Sequence, residues 1–188
     1  DTGDYSFLFG YEESYGYLAG TFVRDKDAVI ASMLICEMAA YYKRNGKILL
    51  DVLNDIYAEH GYYVDETVSL SFSGVSPQDK MKFIMESFRE NKINILAGEK
   101  ISVVLDYKMG TALNLFTGKT EKINCPKSDV LKFFLEDGSW FVLRPSGTEP
   151  KLKVYFSIKG ENKPEAVKVL ETAKREVLNL IDRLHINS

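Results

Sequence analysis

Arg144-Pro145-Ser146-Gly147-Thr148-Glu149-Pro150-Lys151-Leu152-Lys153-Val154-Tyr155-Phe156-Ser157-Ile158 joins a loop to a strand. Leu152, Val154, Phe156 and Ile158 alternate with Lys151, Lys153, Tyr155 and Ser157, the period of two expected of a half-buried strand with its lysines on the polar face. Just upstream, Val130 to Leu135 and Ser139 to Leu143 flank Asp137-Gly138, a hairpin signal because glycine tolerates the positive φ of tight turns. Hairpin, loop and strand in succession predict an antiparallel sheet that delivers Arg144 to the loop. The loop gathers a guanidinium, two hydroxyls, a glycine amide and an ammonium, the donor set of a phosphate cradle. A proline- and glycine-containing hairpin with its charges in water has the same composition, and the loop alone does not separate the two readings.

Outward from this stretch the pattern alternates strand and helix. A final helix starting at Pro164 places Ala166, Val169, Leu170, Ala173, Val177, Leu180, Ile181 and Leu184 on one broad face, enough to cover a sheet. On the upstream side, Ile101 to Tyr107 reads as a strand, and Lys108 to Lys127 as a connection with little periodicity. Ser76-Pro77 is predicted to cap a helix carrying Met81, Ile84, Met85 and Phe88 on one face, after a strand of Val68, Leu70 and Phe72. Polar, extended residues from Tyr62 to Glu66 mark a domain boundary. Before it, Asp27 caps a helix with Ile30, Met33, Leu34, Met38 and Tyr41 at helical spacing and a stop at Asn45-Gly46. Leu49, Val52, Leu53 and Ile56 stripe a second helix closed by His60-Gly61. The expected class is α+β: a C-terminal domain, residues 64–188, whose antiparallel sheet is covered by helices, preceded over 1–63 by the helical end of an α/β domain.

At 188 residues and 45% hydrophobic content the chain can bury a sizeable core. Charged residues interrupt every apolar stretch, and no signal-peptide pattern opens the chain, so neither a membrane partner nor secretion is expected. A net charge of -3 argues against a nucleic-acid-binding surface. Cys36 falls in an apolar helical pattern and reads as a buried thiol; Cys125 precedes a proline in a loop, and neither has metal-site spacing. The cysteine usage suits a reducing cytoplasm.

A second loop, Gly10-Tyr11-Glu12-Glu13-Ser14-Tyr15-Gly16-Tyr17, precedes the charged segment Arg24-Asp25-Lys26-Asp27. Read alone, Glu12 and Glu13 are solvated acids among tyrosines that pack with wet hydroxyls. Lys26 reads as a helix-start lysine, although a cation at the positive end of a helix wants a compensating anion. His60 and His185 read as structural.

The octapeptide Arg144 to Lys151, running into Lys153-Val154-Tyr155, resembles the phosphate-binding loop in the last domain of the α-D-phosphohexomutases, the phosphoglucomutase and phosphomannomutase superfamily. Glu12 to Ser14 resembles that family's Glu-x-Ser sugar loop, and Arg24 to Lys26 stands where the family has a basic residue near its substrate. Tyr11, inserted between glycine and the acids, departs from the shorter family pattern. The family's phosphorylatable serine loop and its Asp-Gly-Asp-x-Asp magnesium loop do not occur here, and the chain opens at Asp1 partway into a strand, so it reads as a C-terminal fragment.

The resemblance implies a parent isomerase that transfers a phosphoryl group between phosphoserine and a hexose phosphate through a 1,6-bisphosphate. Magnesium and the reacting serine would sit in the missing N-terminal domains of the same chain. This part would hold the substrate: Glu12, Ser14 and Lys26 on the sugar, and Arg144, Ser146, Gly147, Thr148 and Lys151 on the phosphate not being transferred. It implies no catalytic residue, no metal ligand and no bound cofactor in this chain, and no activity of the chain alone. The form of the sugar loop is most like the phosphoglucomutase members, favouring glucose over mannose. A stand-alone sugar-phosphate binding module without catalysis is the alternative; a serine loop and a metal loop encoded upstream of Asp1 distinguish the two.

Overall fold

In the computed structural model, which describes residues 6–12, 15–74, 76–91 and 93–186, the chain divides into two compact units, Asp1–Glu59 and His60–Ser188. In the first, β1 (Phe9–Tyr11) pairs antiparallel with β2 (Tyr17–Ala19), and α1 (Ala28–Arg44) and α2 (Leu49–His60) follow. Asp27 caps α1, its Oδ1 accepting from the N–H groups of Val29 and Ile30 at 3.0 and 3.1 Å. The apolar stripes of both helices face outward: Met33, Leu34, Met38, Leu53 and Ile56 are all exposed. Cys36, expected to be buried, is exposed on the same helix, because α1 buries no residue.

The second unit is built on one antiparallel sheet. Its strands are β3 (Tyr62–Ser71), β4 (Ile95–Leu96), β5 (Glu99–Asp106), β6 (Thr111–Asn114), β7 (Thr120–Lys122), β8 (Leu131–Leu135), β9 (Trp140–Pro145) and β10 (Lys151–Gly160). They lie in the order β3-β10-β9-β8-β5-β6-β7, with β4 beside β5. The strand predicted from Leu152 is β10, flanked by β3 and β9. Its alternation has the expected physical result, with Leu152, Val154, Phe156 and Ile158 buried against α3 (Pro77–Glu90) and α4 (Lys163–Ile186). Cross-strand partners Phe133, Phe141 and Phe156 form an aromatic row over β8, β9 and β10, with centroids 4.4 Å apart for the first pair and 6.2 Å for the second. From α4, Ala166, Leu170, Ala173, Val177 and Ile181 close the core, as predicted from their spacing.

The hairpin between β8 and β9 turns at Asp137-Gly138. Gly138 has φ 92°, and the Asp137 carboxylate accepts from Ser139 N–H and Oγ at 2.8 Å each, so the turn carries its own clamp.

Three expectations need correction. The connection 108–127 contains β6 and β7, short strands whose polar edge residues leave no apolar alternation to read. Ser76 occupies the N-cap of α3 but has φ 51° and makes no capping bond, because a left-handed backbone turns its side chain away from the helix amides. The strand around Val68 to Phe72 begins at Tyr62, since β10 supplies ladder partners along its whole length and Phe72 itself lies just past the strand. Among the described residues, no helix is long and apolar enough to cross a membrane.

Candidate functional site

The phosphate-loop candidates leave the sheet between β9 and β10. Arg144 stands at register with Lys153, so the sheet fixes the origin of its long side chain. The loop is pinned at its base by Ser146 N–H to the Lys151 carbonyl, 2.8 Å, and just beyond the end of β3 by Phe72 N–H to the Pro150 carbonyl, 2.9 Å. Inside the turn, Ser146 Oγ accepts from the N–H groups of Thr148 and Glu149 at 3.4 Å, long bonds that leave its hydroxyl proton for another acceptor. Gly147 has no positive φ, and a Cβ placed there would meet nothing within 4 Å. Neither backbone strain nor crowding within the chain therefore requires glycine at this position.

Arg144, Pro145, Ser146 and Gly147 form one wall of an open cleft of about 470 Å³. The rest of the lining comes from remote segments: Gln78, Met81 and Lys82 of α3, Lys108 from the turn after β5, and Ser128, Asp129 and Val130 from the segment before β8. Thr148 and Lys151 are not among its lining residues, and Lys151 is paired with Glu149 at 2.9 Å. Behind the cleft stands an ionic cluster that no sequence motif announces. Arg89, with only 9% of its side chain exposed, binds Asp106 through Nε at 3.0 Å and Glu86 through Nη1 at 3.1 Å, and reaches Asp129 through Nη2. Burial works against the charge on Arg89, yet Asp129, Asp106 and Glu86 together hold its pKa above the ordinary value. Lys108 joins the cluster through Glu86 Oε1 at 2.6 Å. That bond, opposed by burial and aided by Arg89, holds the Glu86 carboxyl below its usual range.

The sugar-loop candidates form a second cleft, of about 240 Å³, wholly within the first unit. It is lined by Glu12, Arg24, Asp25 and Lys26 with Gly10, Gly16 and nearby apolar groups. Glu12 and Lys26, fourteen residues apart, meet here: Lys26 Nζ lies 3.4 Å from Glu12 Oε1 and 3.1 Å from Asp25 Oδ1. Asp25, and then Glu12, raise the Lys26 pKa, so the anion that its helix-start position calls for is supplied from within the chain. Gly16 makes this close approach possible. A Cβ there would lie 2.2 Å from Lys26 Cδ and 2.7 Å from Lys26 Cγ. The turn is closed by Glu12 N–H to the Gly16 carbonyl at 2.8 Å, with Tyr15 at φ 62°. Tyr11 and Tyr17 stack loosely on Phe9, whereas Tyr15, expected to pack, is 87% exposed. Glu13 and Ser14 lie outside the described residues. Arg24 and Asp25, which belong to the same charged segment as Lys26, line the cleft beside it.

Residues 2–60 match the family model "Phosphoglucomutase/phosphomannomutase, alpha/beta/alpha domain III", and residues 90–175 match "Phosphoglucomutase/phosphomannomutase, C-terminal domain". The chain belongs to this family. It is 37% identical over 168 residues to a phosphoglucomutase of Staphylococcus saprophyticus, an alignment that spans 89% of the chain and 30% of that protein. Against the phosphoglucomutase of Staphylococcus haemolyticus it is 41% identical over 157 residues, 84% of the chain and 28% of the relative. The chain thus spans less than a third of the length of these curated relatives. The fold is also similar to the crystal structure of pp63/parafusin, a phosphoglucomutase from Paramecium in an open form, with a TM-score of 0.59 and 16% identity over 90% of this chain and 29% of that one. The α+β class with an antiparallel sheet is the architecture of the family's C-terminal domain seen here. Among the described residues, no group of His, Cys, Asp or Glu side chains could hold the magnesium ion that the family resemblance implies.

Proposed function

We propose that this chain is the substrate-holding C-terminal part of a phosphohexomutase that interconverts hexose 1-phosphate and hexose 6-phosphate, glucose favoured over mannose, through a bisphosphate intermediate. In this reading residues 1–63 supply the sugar loop and residues 64–188 the phosphate loop. The observation that carries it is the cleft at Arg144, Ser146 and Gly147. It brings a guanidinium, a hydroxyl and a glycine into one lining, and that glycine is explained by nothing the chain itself packs around its Cα. A phosphate oxygen seated against the Gly147 amide would explain it. The named activity of the staphylococcal relatives supports glucose as the sugar.

The division of labour follows from the donors present. Arg144 matches two oxygens of one phosphate, Ser146 and Thr148 donate to others, and Lys151 adds charge on leaving its exposed partner Glu149. On the sugar side the Glu12 carboxylate accepts from neighbouring hydroxyls, Lys26 donates to an oxygen, and Ser14 serves a third position. None of these groups touches a bond being broken. They orient the reacting end of the substrate, and magnesium chemistry and the phosphoserine belong to other domains of the parent. The chain alone is accordingly inactive.

In the full-length parent, Arg144→Ala should lower kcat/KM roughly 100-fold, the equivalent of about 3 kcal/mol of bidentate charge-assisted binding, with the fold intact. Unaltered turnover would remove the phosphate-binding role.

A further inference from the structure

The loop motif accounts for one wall of the cleft only. Lys82 and Lys108, two more cations, line the same cleft as Arg144. The single carboxylate on the lining, Asp129, is engaged by Arg89 behind it. The lining therefore brings together three cations, Lys82, Lys108 and Arg144, from elements remote in sequence, of which Lys108 is paired with Glu86. Concave, partly desolvated walls strengthen the field of such charges.

Lys108 is the better ordered of the two lysines. Its turn is fixed by Asp106 Oδ1, which accepts from the N–H groups of Lys108 and Met109 at 2.9 and 3.1 Å, and by Gly110 N–H to the Asp106 carbonyl at 2.8 Å. Its ammonium is tethered to Glu86, itself held by the buried Arg89. One of its three N–H groups is used by that tether, and the side chain remains 43% exposed on the cleft.

We propose that Lys108 is a further anion-binding residue of this cleft, contacting the phosphate monoester that Arg144 to Gly147 receive, with Glu86 and Arg89 as positioning residues that aim its ammonium. The inference rests on the phosphate-binding reading of the loop. A positioned lysine costs less side-chain ordering on binding than one waving in solvent, which gives the Arg89 cluster a purpose beyond holding α3 to the sheet.

The test is titration of this chain with inorganic phosphate, followed at the Gly147 and Thr148 backbone amides by NMR, for the unmodified chain and for Lys108→Met, Lys108→Gln, Lys108→Arg and Arg144→Met. Thermal unfolding of each variant checks that the fold is retained. Loss of one charge-assisted contact in a half-exposed setting should weaken phosphate binding about tenfold in Lys108→Met and Lys108→Gln, while Lys108→Arg stays within about threefold and Arg144→Met loses more. The slope of log Kd against log salt should also be shallower in the two neutral variants. Phosphate affinity within twofold of the unmodified chain in both neutral Lys108 variants, with Arg144→Met impaired, overturns this proposal and leaves the loop reading standing. No phosphate response at Gly147 and Thr148 in the unmodified chain overturns both.

Discussion

Replacing Arg89 with methionine removes one guanidinium from among three carboxylates, and the structure sets the size of the effect. Breaking a buried ion pair costs about 3–5 kcal/mol, because the remaining charge is left without its partner. Only Asp106, with 14% of its side chain exposed, is in that position here. Glu86 and Asp129, at 38% and 40%, can rehydrate, and Glu86 keeps Lys108. A discounted loss of about 2–4 kcal/mol follows. The unit from His60 to Ser188 has an unfolding entropy of roughly 0.27 kcal/mol/K, so the melting temperature should fall by about 7–15 °C at neutral pH.

The pH dependence has a definite sign. Hydrogen bonding from Lys108, opposed by burial and aided by Arg89, lowers the folded-state pKa of Glu86 below its ordinary value of 4.5. A lowered carboxylate pKa contributes stability that is present above the unfolded value and lost as pH falls through the folded one. The gap between the two proteins should therefore be full at pH 7 and narrow as pH falls below 4.5 through the lowered folded-state value, by the share of the Glu86 shift that Arg89 supplies. Circular dichroism melts at pH 7 and near pH 3.5 read this directly. A deficit under about 3 °C at pH 7, or the same deficit at both pH values, would refute the view that Arg89 is held by charge.

Gly16→Ala should displace the Lys26 stem and break its bridge to Glu12 while changing stability by no more than about 1 kcal/mol, since the pair is exposed; full retention of a sugar-phosphate response at Glu12 and Lys26 would count against the cleft. Phe141→Ala, at the centre of the aromatic row, should cost about 3–5 kcal/mol in denaturant unfolding, and a cost below about 1 would mean the row is not the core. Both Cys36 and Cys125 should react promptly with a thiol reagent in the native chain, and protection of Cys36 would show that α1 is covered in solution.

Much of this architecture was legible because it follows strong periodicities. The four helices and the β8–β9 hairpin each bring many apolar residues, or a glycine with a defined φ, into register with one face. What was not legible had weak local signals. β7 is Thr120-Glu121-Lys122, exposed throughout, and exists because β6 offers it a ladder. Burial of Cys36 was inferred from helical spacing, but spacing tells which residues share a face and not whether anything covers it. In the candidate site, the motif residues were visible as a contiguous string, whereas Lys82, Lys108 and Asp129 reach the same cleft through tertiary folding from positions 62 to 15 residues upstream of Arg144. The Glu12–Lys26 pair was legible residue by residue but not as a contact, because the turn that joins them depends on the space left by Gly16.

The most direct test of the central claim is a backbone-amide NMR titration of this chain with glucose 1-phosphate and, separately, with inorganic phosphate, carried to high ligand concentration. The account predicts shifts at Arg144 to Lys151 with both ligands, and at Glu12, Gly16 and Lys26 with the sugar phosphate only. Shifts confined to other surfaces, or none at Gly147 and Thr148 with either ligand, would contradict it.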